Sequence, residues 1–173
     1  MNFSSNSLVC FLVACAFALP TMVHAQIGES LKEFRTRYGS PVLKSKDRIF
    51  GTTHVFRDGN ISVHVTFLDG KAASVTYMKQ EVEEGNLLLT KQEIKKLIDR
   101  NSSKKLNKVS GAQQWKSADG KIVAEYDDKN ASRALSQPPY NLAIGVLSVE
   151  TSEVKELRKQ RTDEYYSKQR RSR

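Results

Sequence analysis

The sequence predicts an α+β fold: an antiparallel meander sheet of about six strands with two helices packed on one face, followed by a basic C-terminal helix or tail. Three observations predict it. Two capping boxes, Ser30-Leu31-Lys32-Glu33 and Thr90-Lys91-Gln92-Glu93, each open an apolar stripe at helical spacing. Asp-Gly pairs at Asp58-Gly59, Asp69-Gly70 and Asp119-Gly120 divide runs of alternating apolar residues, the strongest short-range hairpin signal. The second box and the third Asp-Gly pair follow their counterparts at offsets of 60 and 61 residues, so half-repeats 27–79 and 89–149 are candidates for a tandem helix-hairpin repeat inside one domain, 26–151.

Met1 to Ala25 reads as a signal peptide. Leu8 to Leu19 is continuously apolar or small and too short to span a bilayer, Pro20 breaks it, and Val23-His24-Ala25 has the small-x-small form of a cleavage site. Cleavage there leaves a periplasmic or secreted chain of 148 residues beginning at Gln26, with no further apolar run long enough for a membrane span. Both cysteines, Cys10 and Cys15, lie in the signal, which excludes disulfides and a Cys-based zinc site from the mature chain. Leu12-Val13-Ala14-Cys15 also fits a lipobox, so a lipid anchor at Cys15 is the alternative.

In the first half, Leu31, Phe34 and Tyr38 share one helical stripe, and Gly39 before Ser40-Pro41 closes the helix. A three-residue loop Leu68-Asp69-Gly70 would pair Val65 with Ala73, Val63 with Val75 and Ile61 with Tyr77; the same logic at Arg57-Asp58-Gly59 pairs Val55 with Ile61 and Thr53 with Val63. The predicted buried face then carries Val55, Ile61, Val63, Val65, Val75 and Tyr77, and the other, with Ser62, His64, Thr66, Ser74 and Thr76, should be wet.

In the second half, Leu89 can staple Ile94, and Ile94, Leu97 and Ile98 form the buried stripe. Trp115 starts a strand leading to Asp119-Gly120, residues 122–126 and 142–149 read as strands, and the polar stretch Asp127 to Tyr140 between them reads as a long loop. Val154, Leu157 and Tyr165 suggest a last helix after Ser152, and the polarity of 169–173 predicts disorder there.

The formal net charge is +9 and falls entirely on the mature chain. Lys91 to Lys108 holds seven basic and two acidic residues, and Ser152 to Arg173 eight basic and four acidic. Such stretches either solubilise the surface or draw it weakly to lipid headgroups, acidic glycans or nucleic acid, an attraction that salt weakens.

Candidate chemistry is sparse. His54 and His64, the two histidines beyond the signal, fall in the predicted register on one wet face as diagonal neighbours at roughly 7–8 Å. Two ligands are fewer than a zinc site needs, so solvated strand histidines are the expectation. There is no Gly-x-Ser-x-Gly elbow, no phosphate-cradling Gly-rich loop and no mature thiol, so no catalytic residue, metal ligand or cofactor is assigned. Trp115 suits core packing or a surface anchor. The candidate interaction surface collects Trp115, His54, His64, the basic Lys95, Lys96, Lys104, Lys105, Arg158 and Arg161, and the pair Tyr165 and Tyr166.

Ile27-Gly28-Glu29-Ser30, the helix ending Tyr38-Gly39-Ser40-Pro41, Phe56, and Val65-Thr66-Phe67-Leu68-Asp69-Gly70-Lys71 followed by Ser74-Val75-Thr76-Tyr77 together resemble the small helix-plus-meander modules of outer-membrane-assembly lipoproteins. The tandem arrangement is similar to the beta-lactamase inhibitory protein type, in which two such modules form one curved sheet. The resemblance implies an exported, non-enzymatic module of the bacterial cell envelope that binds envelope proteins through its sheet or loops. An anion-binding basic protein and a small hydrolase with an unrecognised site are the alternatives.

Overall fold

The computed structural model describes residues 26–47, 51–80, 88–128 and 145–171. The predicted signal, the acidic linker 81–87 and most of the predicted 127–140 loop lie outside them. Both predicted helix starts form as capping boxes. In α1 (Leu31–Tyr38), Ser30 N donates to Glu33 Oε2 at 2.7 Å and Glu33 N to Ser30 Oγ at 3.4 Å, and the Gly39 N–H donates to Arg35 O at the other end. In α2 (Lys91–Asn101), Thr90 N donates to Glu93 Oε2 at 2.7 Å and Glu93 N to Thr90 Oγ1 at 3.2 Å. Glu93 is further held by Lys79 Nζ at 3.0 Å; burial opposes its ionisation, and the Thr90 and Lys79 hydrogen bonds overcome it to lower its pKa. Replacing Thr90 with alanine should cost about 1 kcal/mol of stability. Urea melts check this, as a lower midpoint at unchanged slope.

The strands are β1 (Leu43–Asp47), β2 (Gly51–Asp58), β3 (Ile61–Leu68), β4 (Lys71–Lys79), β5 (Leu106–Lys108), β6 (Gln114–Ser117), β7 (Ile122–Asp127) and β8 (Val146–Thr151). They form one eight-stranded antiparallel sheet in the order β1-β2-β3-β4-β8-β7-β6-β5. The expectation of about six strands is corrected by β1 and β5, which form the two edges. Their sequences, Leu-Lys-Ser-Lys-Asp and Leu-Asn-Lys, lack apolar alternation because an edge strand keeps polar side chains against water.

The hairpin registers also differ from expectation. Leu68 pairs with Lys71 across a two-residue turn in which Asp69 and Gly70 both have positive φ, 50° and 75°, the type I′ geometry that matches strand twist. A bulge between Thr66 and Phe67 then shifts the ladder by one, so Val65 pairs with Val75, Val63 with Tyr77 and Ile61 with Lys79. The bulge does what the longer loop was expected to do: it brings the apolar residues of both strands to one face. At the preceding turn Asp58 pairs with Ile61, leaving Gly59 (φ 60°) and Asn60 in the loop, so Phe56 opposes Val63 and His54 opposes Val65. Val55 therefore lies on the opposite face, beside His64.

One face carries Phe56, Val63, Val65, Val75, Tyr77, Leu147, Val149, Ala124 and Tyr126, all within the main core cluster together with Phe34 of α1 and Ile94, Leu97 and Ile98 of α2. Phe34 packs its ring 5.7 Å from both Phe56 and Phe67. Gln26, fully buried, accepts a hydrogen bond from Tyr77 and donates one to Tyr38 OH, and Asn101 Nδ2 donates to Tyr77 OH at 2.7 Å. This network ties Gln26 to α1, to α2 and to the central strand β4.

Helix then four strands occurs twice, and the two runs meet at their last strands, β4 and β8. Superposing Ile61 on Ile122 brings their partners Lys79 and Thr151 together, and Thr76 then falls on Ser148, the residue it is itself paired with. The sheet thus has an approximate two-fold through this pair, whose hydroxyls lie 3.5 Å apart. Phe56 and Trp115 are counterparts under it, which explains why the lone tryptophan sits in a strand facing the core.

The last helix, α3 (Ser152–Arg171), runs through Gln169, and of 169–173 residues 169–171 are described. The final strand begins at Val146 among the described residues and runs to Thr151, so it leads directly into α3.

Candidate interaction surfaces

The structure separates residues that the sequence placed together. His54 and His64 point to opposite faces of the sheet, because residues on neighbouring strands share a face only when directly paired or offset by two, and His54 pairs with Val65 rather than with a neighbour of that parity. His54 is half-buried, edge-on to the Phe67 ring at 5.6 Å; burial first, then the charges of Lys44 and Arg35, lower its pKa. His64 is only 5% exposed and sits 3.1 Å from Ser62 Oγ; burial lowers its pKa to about 4.

Most of the face expected to be wet is buried, with Thr76 half-buried. Ser62, His64, Thr66 and Ser74 are all buried, as are Val55, Met78, Val123 and Val146 on the same side. Its polar groups are satisfied by one another, as in Thr53 Oγ1 with Thr66 Oγ1 at 3.2 Å, or from α3, where Arg158 Nη2 approaches Ser74 Oγ and Glu150 Oε2, each at 3.4 Å. Burial raises the Glu150 pKa, opposed by Arg158 and Lys155. Val154, at the start of α3, is buried, and its N–H is capped by Thr151 Oγ1 at 3.2 Å. Alternation alone reads this face as exposed, because hydroxyl-rich strands look solvated when their partners, such as Arg158 for Ser74, lie far along the chain.

The basic candidates do not form one patch. Lys95 and Lys96 lie on the exposed side of α2, where Lys95 pairs with Asp99 at 2.5 Å. Arg100 pairs with Asp58 at 2.6 Å, and Lys104 with Asp119 at 2.6 Å; that ion pair, with Ser117 Oγ, holds the Asp119 carboxyl well below its usual range. Lys105 is exposed. On the other side of the sheet Arg158 meets Ser74, Lys155 pairs with Glu125 at 3.0 Å, and Arg161 is exposed on the next turn of α3. Tyr165 and Tyr166 lie on α3, with side chains outside the described part. Trp115 is half-buried against the core, with Lys108 Nζ 5.9 Å from its ring centre.

The sequence reading missed Val42 and Leu43. They are the exposed large hydrophobic side chains among the described residues, 57% and 37% exposed, at the entry to edge strand β1. The available signal was Pro41-Val42-Leu43 followed by alternating lysine, which reads as loop unless the edge strand is recognised.

No family model matches the chain, and no curated protein matches it. Among solved structures it is similar to a cysteine-rich secretory protein from Staphylococcus aureus subsp. aureus Mu50, at 17% identity and a TM-score of 0.39, covering 75% of this chain and 46% of that one. The chain therefore spans less than half of that protein, and a likeness this loose bears on neither fold nor role. Among the described residues no helix is long and apolar enough to cross a membrane.

Proposed function

We propose that this chain is an exported, non-enzymatic protein-interaction module of the bacterial cell envelope, built from two helix-plus-four-strand units sharing one sheet. The observation that carries the reading is how the side chains are used. The residues with chemical potential are committed to packing, His54 against Phe67 and His64 beside Ser62 on opposite faces, while exposed apolar side chains gather at one sheet edge. Contacts of Phe34, Ile94, Leu97 and Ile98 support α1 and α2 covering one face, and the Arg158 contacts support α3 covering part of the other. The repeated element order supports the resemblance to tandem envelope modules and an origin by internal duplication. Burial of Gln26 supports a folded unit that includes it from this residue onward.

Cross-linking of the exported protein in envelope extract tests this. The expected result is capture of a defined protein that persists at high salt, by the full mature chain and by one truncated at Asp163, beyond the buried Val154. Anion binding through the exposed lysines of α2 and the end of α3 is the second reading, favoured by the uncompensated charge of +9. It takes over if only anionic vesicles or oligonucleotides are retained and are lost steeply as salt rises.

A further inference from the structure

We propose that β1 is a docking edge that accepts an extended, apolar and acidic segment of another protein as a ninth strand of the sheet. The inference rests on the interaction-module reading and assigns its surface and the chemistry of its partner. Among the described strands β1 is outermost, paired only with β2, so its far side presents unpaired backbone N–H and C=O groups. Natural edges are normally blunted, and the opposite edge fits that rule: β5 has three residues, with Asn107 and Lys108 exposed and Leu106 partly buried. The β1 edge also carries lysine, at Lys44 and Lys46, and differs from β5 in its length and its apolar entry. It has five residues and is entered by Val42 and Leu43, 57% and 37% exposed.

Charge and geometry select the occupant. Lys44, exposed on β1, pairs across the ladder with His54, and Arg35 of α1 lies near enough for its charge to act on the same imidazole. No ion pair is formed by Lys44 or Arg35 among the described residues, so the edge combines apolar contact area with uncompensated positive charge. A second copy docked edge to edge would set Lys44 and Arg35 against their equals in a chain already at +9, which opposes self-pairing. Lipid or nucleic acid offers no ladder of backbone donors and acceptors. An extended segment alternating apolar and acidic residues fits the free ladder, setting apolar side chains on the face of Leu43, which pairs with Val55, and acidic ones on the opposite face with Lys44, which pairs with His54.

The probe is a blocked peptide of about eight residues alternating valine and glutamate, with a valine-lysine peptide as control, added to the full mature chain. Fluorescence anisotropy should give saturable binding of the glutamate peptide, at least about ten-fold tighter than the control, or about 1.4 kcal/mol. Amide hydrogen exchange should slow along 42–47. Leu43→Lys should weaken binding by about ten-fold or more with the denaturation midpoint unchanged, and Lys44→Glu should invert the preference between peptides. The proposal is overturned if the glutamate peptide fails to bind at millimolar concentration, if both peptides bind alike, if protection appears on α2 or β5 instead, or if the chain alone dimerises through β1. Should the probe fail while a defined envelope protein is still captured, the edge is wrong and the module reading stands. Failure of both removes both.

Discussion

Phe34→Ala should remove about 3–5 kcal/mol of stability. Phe34 has no exposed surface and its ring meets those of Phe56 and Phe67 at 5.7 Å and Tyr38 at 5.9 Å, so alanine loses the transfer free energy of a whole aromatic side chain and leaves a cavity bounded by stiff rings. Those neighbours are anchored on β2, the end of β3 and α1, and cannot all collapse toward the gap. Against a total of about 5–15 kcal/mol for a domain of this size, the variant should melt much earlier. Phe34→Leu, which keeps most of the volume, should lose less than half as much. Chemical denaturation decides it: a loss under about 1.5 kcal/mol for the alanine variant would mean that α1 does not lock onto the sheet through this residue.

How much of this was legible follows from which interactions are local. Both helices were readable to the residue because their start signals, Ser30 with Glu33 and Thr90 with Glu93, are satisfied within one turn. The hairpins were readable as hairpins, but their registers were not. The choice between a three-residue loop and a two-residue turn plus bulge depends on where the bulge relieves the ladder, and both solutions bring apolar residues together. One consequence spread from a single offset: with Val55 moved to the far face, His54 and His64 parted and are not the diagonal neighbours on one face that the expected register made them. Edge strands β1 and β5 were invisible because their charge pattern is the opposite of the alternation used to find strands.

The polar face was misread for a different reason. Ser62, His64, Thr66 and Ser74 alternate with core residues as solvent-facing positions do, and nothing local announces that Arg158, 84 residues after Ser74, returns to it. The two-fold, by contrast, was half visible as a 60-residue offset and became a geometric statement only when Thr76 was found paired with its own counterpart, Ser148.

Acidification should expose the cost of that largely buried face through His64. Burial lowers its folded pKa to about 4, against 6.5 for an accessible imidazole. Between these values the unfolded chain holds a proton that the folded chain does not, so this group's contribution to stability is intact above pH 6.5 and is lost as pH falls toward 4. The slope is about 1.4 kcal/mol per pH unit, and the total is roughly 3 kcal/mol, with no further loss from this group below pH 4. Glu150, on the same face and raised by burial, acts in the opposite sense, since its folded carboxyl takes up a proton more readily than its unfolded one as pH falls. The two are separated by comparing the wild-type chain with His64→Gln, which keeps a polar group beside Ser62 but cannot charge. Whatever the variant costs at pH 7, its deficit should shrink by roughly 2–3 kcal/mol between pH 6.5 and 4, because only the wild-type chain must hold an imidazole neutral. Urea melts at half-unit pH steps measure this, and parallel curves for the two proteins across that window would mean that His64 titrates as an accessible histidine and that the face is open.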